Sequence, residues 1–123
     1  MATRYTKDHE WIRLEGEVAL MGISDHAQDQ LGDIVFVELP EVGKKIARGE
    51  AAAVVESVKA ASEVFAPVAG EVVAVNETLS AGPGAVNEAA EGAGWIAKLK
   101  PDNAADLEAL MDEAAYKAFL ETL

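Results

Sequence analysis

Lys59 is the residue in this chain best placed to do chemistry. It lies between two runs rich in Val and Ala, one ending near Val55 and the other resuming toward Val64 and Phe65. Runs of that composition read as strands. Lys59 therefore falls at the tip of a tight hairpin, about residues 51–66, with its amine in water. A lysine amine is mostly protonated near neutrality and does not acylate itself selectively. An enzyme must recognise the presented turn and take the deprotonated amine as a nucleophile. Val58 and Ala60 are compact and uncharged, so they leave room for an enzyme pocket. Ala66-Pro67-Val68-Ala69-Gly70 then gives a turn signal, and Glu71-Val72-Val73-Ala74-Val75 another strand. A strand, a presented lysine, a strand, Pro-x-x-Gly and a strand follow the grammar of a carrier domain. In such a domain the lysine is acylated by a swinging prosthetic group. A lone hairpin lysine is more often just solvated; the flanking strands are what favour the sharper reading.

Other chemistry finds little support. There is no cysteine, which excludes disulfides, thiolate metal sites and cysteine nucleophiles. Any redox chemistry must come from an attached group. His9 and His26, without cysteines or a tight acidic cluster, make a poor metal site and read as surface or hydrogen-bonding residues. No nucleophile–base pair, metal set or phosphate loop is evident, so the chain does not read as an enzyme. The 22 acidic residues outnumber 10 basic ones, giving a net charge of −12. That disfavours nucleic acid, whose phosphates need Lys and Arg clusters. It favours encounters with basic partner surfaces. No apolar run approaches the length of a membrane span. The N-terminal residues resemble neither a signal peptide nor a transit segment. The expected location is cytoplasmic.

The elements that must hold Lys59 in place follow from the remaining pattern. At 123 residues the chain reads as one domain, 1–123, able to bury a core of its own. Half of it is apolar and only 6% aromatic, so that core is built from Val, Ala, Ile and Leu. Trp11-Ile12-Arg13-Leu14 and Val18-Ala19-Leu20-Met21 read as a hairpin about Glu15-Gly16-Glu17, with Gly22 closing it. Ser24 reads as an N-cap and Gly32 as a C-cap, giving a short helix over 24–31. Ile34-Val35-Phe36-Val37-Glu38-Leu39 is the strongest strand, ended by Pro40. Gly43 and Gly49 suggest two turns around a very short strand. Residues 85–94, rich in Ala, Glu and Gly, read as loop. Trp95 to Lys100 reads as a last strand. Asn103 and Asp106 approximate a capping box, and the apolar spacing predicts one interrupted helix or two short ones over 103–121. Trp11 and Trp95 read as core or rim packing. Glu88, Glu91 and Glu108 read as solvated charges. The sheets are expected to form a flattened barrel or sandwich.

Several segments together resemble the H protein family of the glycine cleavage system, a family of lipoyl carriers. They are Tyr5-Thr6-Lys7-Asp8-His9-Glu10-Trp11, Gly22-Ile23-Ser24-Asp25-His26-Ala27-Gln28 and Leu31-Gly32-Asp33-Ile34-Val35-Phe36-Val37-Glu38-Leu39-Pro40. Val55-Glu56-Ser57-Val58-Lys59-Ala60, Ala66-Pro67-Val68-Ala69-Gly70-Glu71-Val72, Val86-Asn87-Glu88, Gly94-Trp95 and Lys98-Leu99-Lys100-Pro101 match as well. They run in order over nearly the whole chain. Each is weak alone, and the set is highly specific. One departure stands out: Ala90-Glu91-Gly92 replaces the family's usual Pro-Tyr-Gly, which removes an aromatic contact from that loop.

The resemblance implies a mainly β barrel-sandwich hybrid of the lipoyl-domain type, with the short helix near 24–31 and a C-terminal helical segment. It implies lipoate in amide linkage to Lys59, placed there by a lipoyl or octanoyl transferase or a lipoate ligase. It implies a shuttle without catalysis of its own. Glycine decarboxylase loads an aminomethyl group onto the dithiolane. An aminomethyltransferase passes the carbon to tetrahydrofolate, and dihydrolipoamide dehydrogenase reoxidises the dithiol. It also suggests a cleft where the loaded arm rests. Glu10 and Glu63 are the candidate carboxylates facing the loaded amine there, since an amine in a partly dry cleft needs an anionic partner. Three other functions compete. Biotin carriers use a similar lysine but flank it with methionines, which Val58 and Ala60 do not match. A lipoyl relay would keep Lys59, whereas a non-carrier interaction module on the same fold would not need it.

Overall fold

The computed structural model describes residues 2–123. Its strands form two antiparallel sheets. The larger runs in the order β1 (Arg4–Tyr5), β2 (Glu10–Glu15), β3 (Val18–Ile23), β9 (Ala97–Pro101), β8 (Gly70–Val75) and β5 (Lys45–Ile46). The smaller has β4 (Ile34–Glu38), β6 (Ala51–Ser57) and β7 (Ala61–Phe65), with β6 in the middle. Ile12, Met21, Val72 and Leu99 from the first sheet meet Val37, Val55 and Val64 from the second in one buried cluster. The two sheets therefore pack face to face as a sandwich, and neither closes on itself. The β-rich barrel-sandwich class is as expected from the sequence.

The local predictions hold in most places. The first hairpin pairs Glu15 with Val18 around Gly16, which adopts φ +69°. Gly22 does not close β3 but lies inside it, under the Trp11 indole, where a Cβ would come within 2.9 Å of Nε1. Ser24 caps α1 (Asp25–Leu31) by accepting from the Ala27 N–H. Gly32 ends that helix at φ +78°. Between Gly43 and Gly49 lies the expected very short strand, β5.

The loop expected over 85–94 and the capping box expected at Asn103 and Asp106 are corrected by the structure. Residues 85–94 are not simply loop, because α2 (Thr78–Ala81) is followed by α3 (Ala85–Ala89). Val86 is fully buried, and tertiary packing outweighs a glycine-rich local composition. Gly94 lets the chain turn back closely over α3; a Cβ there would lie 2.7 Å from the Ala85 carbonyl. The C-terminal segment resolves into two pieces, as the spacing allowed. The first is a 3-10 helix (Ala104–Ala109) capped by Asn103 through the Ala105 N–H; Asp106 does not complete the box through its side chain. The second is α4 (Glu113–Leu120), capped by Asp112. Tyr116 of α4 stacks on Tyr5 with ring centroids 4.3 Å apart, fastening the C-terminus to the first sheet. No helix among the described residues is long and apolar enough to cross a membrane.

Candidate functional site

Lys59 occupies the exposed tip between β6 and β7. The turn is held by Ser57. Its hydroxyl oxygen accepts from the Lys59 and Ala60 N–H groups, each at 3.1 Å, and its own N–H donates to the Ala60 carbonyl at 2.8 Å. The backbone under Lys59 is thus fixed while its side chain stays free. Val58 ties the tip to the rest of the fold, donating its N–H to the Asp33 carbonyl at 3.1 Å. The lysine stem lies across Gly32, whose missing Cβ would sit 3.2 Å from Cε. A side chain at position 32 would crowd the stem and would also be strained at that positive φ.

The ledge formed by Gly32 is pinned from behind by Asn87 of α3. The Asn87 amide donates to the Gly32 carbonyl at 2.9 Å and to Gln28 Oε1 at 3.0 Å, and its oxygen accepts from the Ile34 N–H at 2.8 Å. One side chain therefore joins α1, the loop under Lys59 and the start of β4. Sequence reasoning missed Ser57, Gly32 and Asn87 as positioning residues. A Ser two positions before a presented lysine is a turn signal that could have revealed the first. The other two depend on tertiary approach and leave no local signature.

Two concavities lie near the hairpin. One, of about 570 Å³, is lined by Leu31 of α1, Ser62 of β7, His9, His26 and Leu120 of α4. The other, of about 430 Å³, is lined by Glu10, Phe65, Arg48 and Met111. Asp8 borders both. Glu10 is buried, and its carboxylate is held by the Thr6 hydroxyl at 2.5 Å and the Phe65 N–H at 3.4 Å. Burial dominates its ionisation. It pushes the carboxyl up to about 7, against the two hydrogen bonds that favour the anion. Thr6 was not foreseen in this role. It also accepts from the Glu10 N–H, which closes a tight turn with His9 at φ +68°. Glu63 is exposed on β7, opposite Val54. Strand alternation points it away from the face that its neighbour Ser62 presents to the larger concavity.

A polar hub flanks this region. Tyr116 donates or accepts at 2.7 Å with both His9 Nδ1 and Ser24 Oγ. Burial, and then the nearby His26, lower the His9 pKa, while Asp8 acts in the opposite sense. Glu91 is not a free solvated charge. It accepts from the Tyr5 hydroxyl and from the Asp25 N–H, which is one of the unpaired donors at the start of α1. A polar bracket thus stands where the family's usual aromatic is absent. Trp11 completes it by donating to the Ala90 carbonyl at 2.8 Å.

Comparison with known proteins agrees with this arrangement. The family model described as Glycine cleavage H-protein matches residues 3–123. The glycine cleavage system H protein of Xanthobacter autotrophicus is 65% identical over 99% of this chain and 98% of its own length. That of Beijerinckia indica is 64% identical over 98% of each. The crystal structure of the H protein from Mycobacterium marinum superposes with a TM-score of 0.88 at 35% identity, covering 99% of this chain and 98% of that one. A chain matched over nearly its whole length by sequence and by fold belongs to the glycine cleavage H-protein family.

Proposed function

We propose that residues 1–123 form one carrier domain whose Lys59 bears lipoate, and that it serves as the lipoyl shuttle of glycine cleavage. The observation that carries this reading is the Lys59 tip: an exposed amine on a backbone that Ser57 holds rigid. That geometry fits the group. An amide at Nζ needs an accessible amine, a fixed turn for an attaching enzyme to recognise, and neighbours too small to obstruct it. Lipoate attached there supplies the reversible disulfide chemistry that a chain without cysteine lacks. The partners implied are glycine decarboxylase, the aminomethyltransferase, dihydrolipoamide dehydrogenase and the lipoyl-attaching enzyme. The chain itself is read as a non-catalytic carrier acting in the cytoplasm. Tethering keeps the reacting end of the arm at high local concentration within each docked complex.

The chain's own residues also provide a resting place. Gly32 and Leu31 lead from the lysine stem to the larger concavity, and Asp8 borders both it and the Glu10 cleft. Glu10 is the first candidate to face a cationic amine carried into the cleft. A positive charge beside it would pull its raised pKa back down and restore an ion pair in a desolvated place. Glu63, the second candidate, is exposed on β7, points away from the larger concavity and lines neither, so the geometry favours Glu10 over it. Glu10→Gln should speed hydrolytic loss of the carried aminomethyl group more than Glu63→Gln does. If neither variant changes that rate, the carboxylate role is wrong.

The shuttle reading is tested by reconstituting glycine cleavage with wild-type chain and Lys59→Arg. The variant keeps charge and fold but offers no acylable amine at the tip. It should support no glycine-dependent NADH formation. Undiminished activity would favour the non-carrier interaction module.

A further inference from the structure

β4 is an edge strand of the small sheet, and it is irregular. Ile34 pairs with Ser57, but Phe36 pairs with the very next residue, Glu56, so β4 carries one extra residue at Val35. This is a β-bulge, which breaks the in–out alternation. Ile34 and Val37 both turn into the core, and Val35 and Phe36 both turn out. Val35 is 53% exposed and Phe36 49%. Val58, beside the lysine, is 69% exposed and is hydrogen-bonded to Asp33 at the entry to the same strand. Three exposed apolar side chains thus share the end of the fold that presents Lys59. Acidic residues flank them along the strand and across it: Asp33 and Glu38 at the two ends of β4 are exposed, Glu56 opposite Phe36 is half-buried, and residues 29–39 contain no Lys or Arg.

The bulge gains the core no apolar side chain: it exchanges Phe36 for Val37 on the inner face and leaves the larger of the two outside, next to Val35. Its effect is to build an apolar strip rimmed by negative charge on the lysine side of the sheet. A partner fitted to it has an apolar pocket flanked by Lys or Arg. The chemistry at Lys59 narrows the choice of partner. Enzymes that act on the finished arm can be reached from a distance by swinging it. The enzyme that forms the amide has no arm to use. It must draw Nζ itself to an activated acyl carbonyl, such as a lipoyl adenylate. The C–N bond then forms, AMP leaves, and the amine proton passes to a base or to water. That requires the body of the tip to enter its surface.

Resting on the Lys59 carrier reading, we infer that Val35, Phe36 and Val58, with their acidic rim, form the docking surface for the enzyme that acylates Lys59. The test uses purified full-length chain, a lipoate ligase, lipoate and ATP, with initial rates of Lys59 acylation followed by mass. Phe36→Ser should raise KM roughly tenfold, the size expected for a central apolar anchor, with kcat nearly unchanged. Val35→Thr should raise it less. Val42→Ser, an equally apolar and exposed residue next to the Gly43 turn, should leave both constants within about twofold. Circular dichroism and thermal unfolding should match wild type for all three. If Phe36→Ser and wild type are acylated alike, the docking surface is wrong while the carrier reading stands. The same holds if Phe36→Ser slows only the glycine-dependent reaction, or only abolishes a self-association of the wild type. If wild type itself is never acylated at Lys59, both fail together.

Discussion

Glu10 shows at the scale of a single residue how burial sets chemistry. Its carboxyl is raised from 4.5 to about 7, with burial the largest cause, and this makes fold stability depend on pH. Between those values the folded chain holds a proton that the unfolded chain has released. The stabilising contribution is complete below about pH 4.5 and is lost as pH rises through about 7. Glu10→Gln mimics the protonated form: its one oxygen is kept for the Phe65 N–H that Oε2 accepted, and its NH2 stands where Oε1 accepted from the Thr6 hydroxyl. It should leave thermal unfolding at pH 4.5 nearly unchanged and stabilise the chain at pH 8 by on the order of 2 kcal/mol. An equal shift at both pH values would contradict this account. Stabilisation gained by losing the carboxylate would also fit a residue kept for its charge in the cleft rather than for the fold.

At the scale of elements, the hairpin is only as well placed as the ledge beneath it. That ledge is a short helix, a glycine and the first residue of β4, held together by Asn87. Asn87→Ala removes three hydrogen bonds and strands the Ile34 N–H and the Gly32 carbonyl. It should cost about 2–3 kcal/mol in denaturant unfolding. Asn87→Asp keeps the acceptor for Ile34 but loses both donors, so it should fall between the two. A loss below about 0.5 kcal/mol for the alanine variant would mean that water or a neighbour replaces Asn87. The α3 helix that carries this residue was not legible in the sequence. Its five residues are too few for a periodic pattern, and it is stabilised by the burial of Val86 rather than by propensity. The capped helix over 24–31 was legible, because Ser24 and Gly32 mark its ends chemically. The hairpins were legible for the same reason: turn residues bounded β-prone runs.

For the whole molecule, the sequence reading reached the architecture and the displayed lysine but not the couplings between distant segments. Lys59 was evident because its strands and turn are contiguous. Glu10 was singled out, but not the Thr6 hydroxyl that holds it or the burial that raises its pKa. Glu91 was read as a solvated charge, since nothing in Ala90-Glu91-Gly92 announces Tyr5 and the start of α1 as its partners. The bulge at Val35 was likewise invisible, because an extra residue shows only in the pairing of two strands. The central claim concerns the amine of Lys59, and the most direct measurement is intact and peptide mass spectrometry of the chain made in cells fed lipoate with a competent ligase. The account predicts a mass gain of one lipoyl group, mapped to Lys59 and absent from Lys59→Arg. An unmodified chain under those conditions, or a lipoyl group on another lysine, would contradict it.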